Sequence, residues 1–162
     1  MNVALAQAAL SAAEAAGAEI DYIDLGAYPL PIYHGTMEEL HGVPASATAL
    51  TERLATADGL LVASPEFNGG PSGLLKNTID WVTRVNMTAF QSSRIGLLSA
   101  TPGGKGGLHS LGILESIFAW MQCTTHESFS LPKAHEELTE GAPSAALVER
   151  LDTWIASFLS EV

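Results

Sequence analysis

Hydrophobic and polar positions alternate along this chain with periods that change every ten to twenty residues, and the changes mark out elements. Residues 2–16, "NVALAQAALSAAEAA", are alanine-rich with Leu5 and Leu10 near helical spacing, and Gly17 stands where a helix stops. "AEIDYIDL" (18–25) alternates Ile20 and Tyr22 against Ile23 and Leu25 and ends at Gly26, the pattern of a strand. "PLPIYHG" (29–35) has too many prolines for a regular element and predicts an extended surface connection. Helix follows over about 44–57, and "DGLLVAS" (58–64) is a short apolar run of the kind covered on both faces. The pattern then predicts helix over about 71–86, strand over 94–100, helix over about 107–122 and a last strand in "CTTHESFSL" (123–131). In the final helix, "SAALVERLDTWIASFL" (144–159), Leu147, Leu151, Trp154, Ile155 and Phe158 share one side.

Helices and strands therefore alternate from end to end. That order predicts an α/β fold, a doubly wound parallel sheet with helices on both faces, in one domain over residues 1–162. In such sheets ligands sit beyond the carboxyl ends of the strands, near the point where strand order reverses.

Composition narrows the function classes. A chain of 162 residues, 47% hydrophobic and 15% charged, is a soluble globular mixture. Eighteen acidic against seven basic side chains, a formal charge of −11, argue against nucleic acid or an anionic membrane surface as partner. A small anionic ligand held by backbone N–H groups stays compatible. No run approaches the roughly 18 apolar residues of a membrane span. A single cysteine, Cys123, makes no internal disulfide, which points to a reducing cytoplasm; we read it as a small buried hydrophobe rather than a nucleophile. His34, His41, His109, His126 and His135 show no metal-ligand spacing.

Two loops at the carboxyl edge are unusual. In "SPEFNGG" (64–70) Pro65 fixes its own φ, Gly69 and Gly70 permit positive φ, Glu66 and Asn68 offer polar groups, and Phe67 offers apolar cover. This is either a strand-to-helix turn or a loop whose backbone meets the edge of a flat heterocycle. In "ATPGGKGG" (100–107) four glycines remove side chains that block approach to the backbone, but the sequence fits neither the dinucleotide nor the P-loop pattern. A tight turn and a ligand loop both remain open there.

Taken together, "DLGAYPLPIY", "ASPEFNGGPSGLLKNTIDWVTR" and "SATPGGKGG" resemble the NADPH-dependent FMN reductase family of flavodoxin-like proteins, grouped with quinone, azo-dye and chromate reductases. The resemblance implies a flavodoxin-like fold and a reaction in which NADPH or NADH gives hydride to FMN, which passes electrons to a small-molecule acceptor. It implies that Pro65, Glu66, Phe67, Asn68 and Gly69 line one side of the flavin ring, and Thr101, Pro102, Gly103 and Gly104 the other, with no catalytic acid, base or nucleophile. Phe67 stands where the family more usually has tyrosine, so a stacking ring is kept and a hydroxyl is lost.

Lys76, Asp80 and Arg84 recur at i, i+4 and i+8. Read by itself the row is a surface ion-pair ladder worth about 0.3–0.5 kcal/mol per pair. The resemblance implies instead a homodimer or homotetramer contact through the helix bearing Lys76, Asp80 and Trp81, and the apolar area of Trp81 and Val85 beside those charges favours that reading.

The family opens with a strand and a phosphate-binding loop of the form G-S-x-R-x-x-S-x-N. This sequence begins where that motif ends, with Asn2 matching its last asparagine, so Asn2 joins the expected cofactor-binding residues and the first strand of the 2-1-3-4-5 order is expected to be missing. An unpaired buried strand edge costs about 1–3 kcal/mol per unsatisfied group, against a total stability of about 5–15 kcal/mol. The expectation is a native start further upstream; the alternative is that the 18–25 strand closes against "DGLLVAS", leaving a flavin-free dimerising or regulatory module.

Overall fold

The computed structural model describes all residues 1–162. Helix α1 (Asn2–Ala15) is followed by a 3-10 turn (Leu25–Ala27) and by α2 (Gly35–His41) and α3 (Ala45–Leu54). Strand β1 (Gly59–Ala63) leads through a small hairpin, β2 (Glu66–Phe67) and β3 (Gly70–Pro71), into α4 (Gly73–Val85). Next come β4 (Arg94–Ala100), α5 (Leu108–Trp120) and β5 (Phe129–Leu131), then α6 (Ala134–Glu137), a second hairpin of β6 (Leu138–Thr139) and β7 (Ala142–Pro143), and α7 (Ala145–Leu159). No helix is long and apolar enough to cross a membrane.

The sheet has three parallel strands in the order β1-β4-β5. Alternation along β4 places Ile95 and Leu97 in a core with α3, α4 and α5, where Leu50, Ile79 and Phe118 are fully buried or nearly so. Leu98 and Ala100 point the other way, into a core shared with Leu5 and Ala9 of α1 and Leu151 and Ile155 of α7. Two helical layers thus cover the sheet, as the alternating order predicts.

Three expectations are corrected. Residues 18–24 do not form a strand: they run without a ladder partner, neither as an inner strand nor closed against β1. Side chains hold the segment instead, with Ile20 and Ile23 packed against opposite cores and the Arg53 guanidinium bonded to Asp21 and to the Tyr22 carbonyl. Second, a helix that the pattern does not predict, α2, stands before α3: the expected extended connection holds as far as His34, whose Nδ1 accepts the Met37 N–H (3.1 Å) and caps that helix. Third, the last strand is shorter than 123–131. It bridges at Thr125, breaks, and resumes at Phe129; in the break the Glu127 carbonyl accepts the Trp154 Nε1–H (2.7 Å) and Ser128 donates to Glu115.

Trp81 also departs from expectation. It is fully buried, its Nε1–H donates to the Pro31 carbonyl (2.7 Å), and its ring meets Tyr33 edge to face at 5.0 Å. Asn77 works beside it, accepting the Tyr33 N–H (2.8 Å) and donating to the Pro31 carbonyl (3.0 Å). Trp81 therefore fastens the proline-rich connection to α4 inside one chain and offers nothing to a subunit contact. Trp81→Ala should cost about 3–5 kcal/mol in urea unfolding, with Trp81→Phe intermediate; a loss within about 0.5 kcal/mol, the size of an ordinary surface change, would contradict this anchoring.

At the amino edge of the sheet, Glu161 binds both Arg94 and His126, and His126 packs on Trp154 and Phe158. The hydrogen bond from His126, aided by the nearby Arg94 charge, holds the Glu161 carboxyl below its ordinary value of 4.5. A depressed folded value means stability that is present above 4.5 and lost as pH falls through the folded value. Urea midpoints measured from pH 6 down to pH 3 should fall more steeply for the parent than for Glu161→Gln; parallel curves would remove Glu161 from the acid response.

Candidate functional site

The turn after β1 is a β-hairpin. Glu66 pairs with Pro71 and Phe67 with Gly70, and the two residues between them, Asn68 (φ 52°) and Gly69 (φ 77°), both lie in the left-handed region. Asn-Gly is the pair that a two-residue turn with two positive φ values demands. Ser72 then caps α4 through its Oγ, which accepts the Leu75 N–H (3.2 Å). The hairpin leaves the Phe67 ring 61% exposed and Asn68 exposed at its tip.

Beyond β4, the loop from Thr101 is stitched to the segment after β5. Thr101 N–H donates to the Leu131 carbonyl (3.1 Å), Ala134 N–H to the Thr101 carbonyl (2.9 Å) and Lys133 N–H to the Gly103 carbonyl (2.9 Å). The four glycines divide by role. Gly106 and Gly107 have positive φ and no room, since a Cβ would stand 2.2 Å from Ser130 Oγ and 2.0 Å from Ser99 Oγ. Gly103 and Gly104 have nothing within 4 Å of a Cβ position, so they form a bare, exposed shelf beside Pro102.

Glu66 joins the two loops. One carboxylate oxygen, Oε2, accepts the His109 and Ser110 N–H groups, each at 3.1 Å. Those are first-turn amides of α5, whose N-cap is Gly107 and lacks a side-chain cap; Glu66 supplies from another loop the acceptor and the negative charge that a helix start favours. The resemblance implies Glu66 as a ring contact, and the structure gives that oxygen a positioning duty. His109 itself, exposed between Gly69 and the glycine loop, was not among the expected site residues. Only its place two residues after "GGKGG" hints at it.

Asn2 is likewise committed. Its Nδ2 donates to the Ala100 carbonyl and its Oδ1 accepts the Ala100 N–H, both at 2.9 Å. The side chain thus pins the start of α1 to the last residue of β4, at the mouth of the glycine loop. Pro65, Glu66, Phe67, Asn68 and Gly69 on one side, Thr101, Pro102, Gly103 and Gly104 on the other, and Asn2 behind them therefore lie along one edge of the sheet, at the ends of β1 and β4.

A groove of about 920 Å³ leaves this edge at Gly69 and His109 and runs outward between α4 and α5, past Ile113 to Trp120. Cys123 lies beyond the far end of α5, and burial pushes its thiol above the usual value, away from the thiolate a nucleophile needs.

Residues 1–136 match the family model described as NADPH-dependent FMN reductase. The chain is 29% identical over 92 residues to a quinone reductase of Escherichia coli, covering 57% of this chain and 49% of the relative. An NADPH:quinone oxidoreductase of Arabidopsis thaliana is 37% identical over 92 residues, covering 56% and 44%. The chain thus spans about half the length of these two curated relatives. A 2-hydroxy-1,4-benzoquinone reductase of Burkholderia is 26% identical over 142 residues, covering 87% and 75%. Among solved structures, the flavoenzyme NAD(P)H:(acceptor) oxidoreductase FerB of Paracoccus denitrificans superposes with a TM-score of 0.78 at 23% identity, over 99% of this chain and 88% of that one, which shows the flavodoxin-like fold. With its parallel sheet, its two carboxyl-edge loops and a family match over most of its length, the chain belongs to the NADPH-dependent FMN reductase family.

Proposed function

We propose that this chain serves as an FMN-dependent NAD(P)H oxidoreductase that delivers electrons to a small-molecule acceptor such as a quinone, free flavin, azo compound or metal oxyanion. The observation that carries this reading is the joined pair of loops, an exposed aromatic hairpin and a bare glycine shelf tied by Glu66 at the carboxyl edge of a parallel sheet. The fit to a flat ring rests on two features: Phe67 presents an open face, and Gly103 and Gly104 present backbone with no side chain in the way. FMN, when bound, supplies the two-electron hydride chemistry. The backbone of Pro65–Gly69 and Thr101–Gly104 would hold its ring. Because the Asn2 side chain is already taken by Ala100, it contributes by fixing the start of α1 to the strand end beside the glycine loop.

The single cysteine supports a cytoplasmic, reducing location. For assembly, the observations favour the outer α4–α5 groove over Trp81. Trp120 is 79% exposed, and Met87, Leu108 and Ile113 are exposed along the same groove, with the Lys76–Asp80 pair (2.5 Å) among its lining residues. Arg84 leaves the expected ladder and pairs with Glu38. A homodimer or homotetramer seated on this groove is the reading; light scattering at micromolar concentration should give at least twice the chain mass, and Trp120→Glu should halve it. A monomer for the parent would remove the assembly reading.

The flavin reading is tested by titrating FMN into the purified chain by calorimetry and following NADPH oxidation with a neutral quinone. Gly104→Val adds bulk in open space, so it should leave stability nearly unchanged while weakening FMN at least about tenfold, a loss of about 1.4 kcal/mol. A parent chain that binds no FMN would favour the flavin-free module instead.

A further inference from the structure

Seven side chains carry positive charge in this chain, and six of them are paired. Arg53 binds Asp21, Lys76 binds Asp80, Arg84 binds Glu38, Arg94 binds Glu161, Lys133 lies 3.5 Å from Glu136, and Arg150 lies 2.9 Å from Glu137. Most of these pairs fasten one segment to another: Arg53 holds α3 to residue 21, Arg84 holds α4 to α2, Arg94 holds β4 to the residues after α7, and Arg150 holds α7 to α6. Lys105 makes no ion pair and no side-chain hydrogen bond, although eighteen carboxylates are available in the chain.

Its position distinguishes it from an ordinary surface lysine. Lys105 stands exposed at the end of the bare shelf of Gly103 and Gly104, and its carbonyl accepts the Leu108 N–H that opens α5. Glu66, which reaches α5 from the other loop, has its Oε2 turned onto the His109 and Ser110 amides. The shelf therefore carries one positive charge that nothing in the chain neutralises, on a molecule of net charge −11. An anion approaching such a molecule meets net repulsion, and a cation without an ion-pair partner at the reactive edge lowers that barrier locally and selects the ligand's orientation.

We propose that Lys105 is a specificity-determining residue that docks the anionic group of the molecule exchanging electrons at the glycine shelf. The group is a phosphate of the dinucleotide reductant or a sulfonate or carboxylate of an acceptor. The proposal rests on the flavin reading for the identity of the site, and on the pairing pattern for the choice of residue. No bond to Lys105 is made or broken; it binds and orients.

The test is competitive acetylation of the full chain with limiting acetic anhydride, with FMN added, read lysine by lysine by mass spectrometry. Lys76 and Lys133, both ion-paired, are internal controls. Lys105 should react fastest, and NADP⁺ or a naphthoquinone sulfonate should slow it about fivefold or more without slowing the controls, whereas an uncharged naphthoquinone should not. Protection by NADP⁺ alone assigns the anion to the reductant, and protection by the sulfonate alone assigns it to the acceptor. In turnover, Lys105→Gln should raise KM for the protecting ligand about tenfold, the scale of one exposed charge-assisted contact, and more than it changes kcat; Lys105→Arg should restore it. The neutral quinone's KM and the FMN affinity should not move. With FMN bound, absence of protection by both anions together with unchanged KM values would overturn the proposal and leave the flavin reading standing. A chain that binds no FMN sinks the flavin reading; protection of Lys105 in that chain would uphold the anion site by itself, and no protection would end both.

Discussion

Burial of β4 on both faces is the constraint from which the rest of the molecule follows. It is laddered to β1 on one side and β5 on the other, and its side chains alternate between the two cores. Such a strand leaves its polar backbone nowhere to go except the ladders and the ends. At the carboxyl end the Ala100 amide and carbonyl are both taken by Asn2, and the chain then turns into the glycine shelf. Close packing beneath that turn is what demands glycine at 106 and 107, because Ser130 and Ser99 occupy the space a side chain would need. The openness of 103 and 104 and the closure of 106 and 107 are therefore two halves of one arrangement, a rigid floor carrying an accessible ledge.

How much of this was legible in the sequence depended on the length over which each pattern persists. Helices α4, α5 and α7 and strand β4 repeat their periodicity over seven residues or more, and they stand within two residues of their expected ends. The 18–25 segment alternates as convincingly, yet alternation describes a strand's faces and says nothing of its edges. With no neighbour to complete a ladder, Asp21 and the Tyr22 carbonyl are held by Arg53 instead. Trp81 illustrates the complementary failure. A large aromatic beside a charged row reads as an interface anchor, and only the path of the proline-rich connection, invisible to local pattern, places the Pro31 carbonyl and Tyr33 over it.

The candidate site was readable as two loops and unreadable as a joint. Asn-Gly and the glycine run announce themselves by composition, because few residues tolerate those backbone conformations. The bond between the loops does not, since Glu66 and the α5 amides are separated by more than forty positions. A carboxylate in a loop of ligand-binding character invites a ligand-binding role, and helix capping from a distance competes for the same atoms. Asn2 repeats the lesson: the family resemblance implied a cofactor contact, and the strand end holds its amide.

Strand β1 is laddered on one side only, and the extended segment nearest to it in sequence does not cover that flank with hydrogen bonds. The ladder groups of Gly59–Ala63 on that flank have the spacing to take one more strand, so the sheet can widen there without disturbing the β1-β4-β5 ladders.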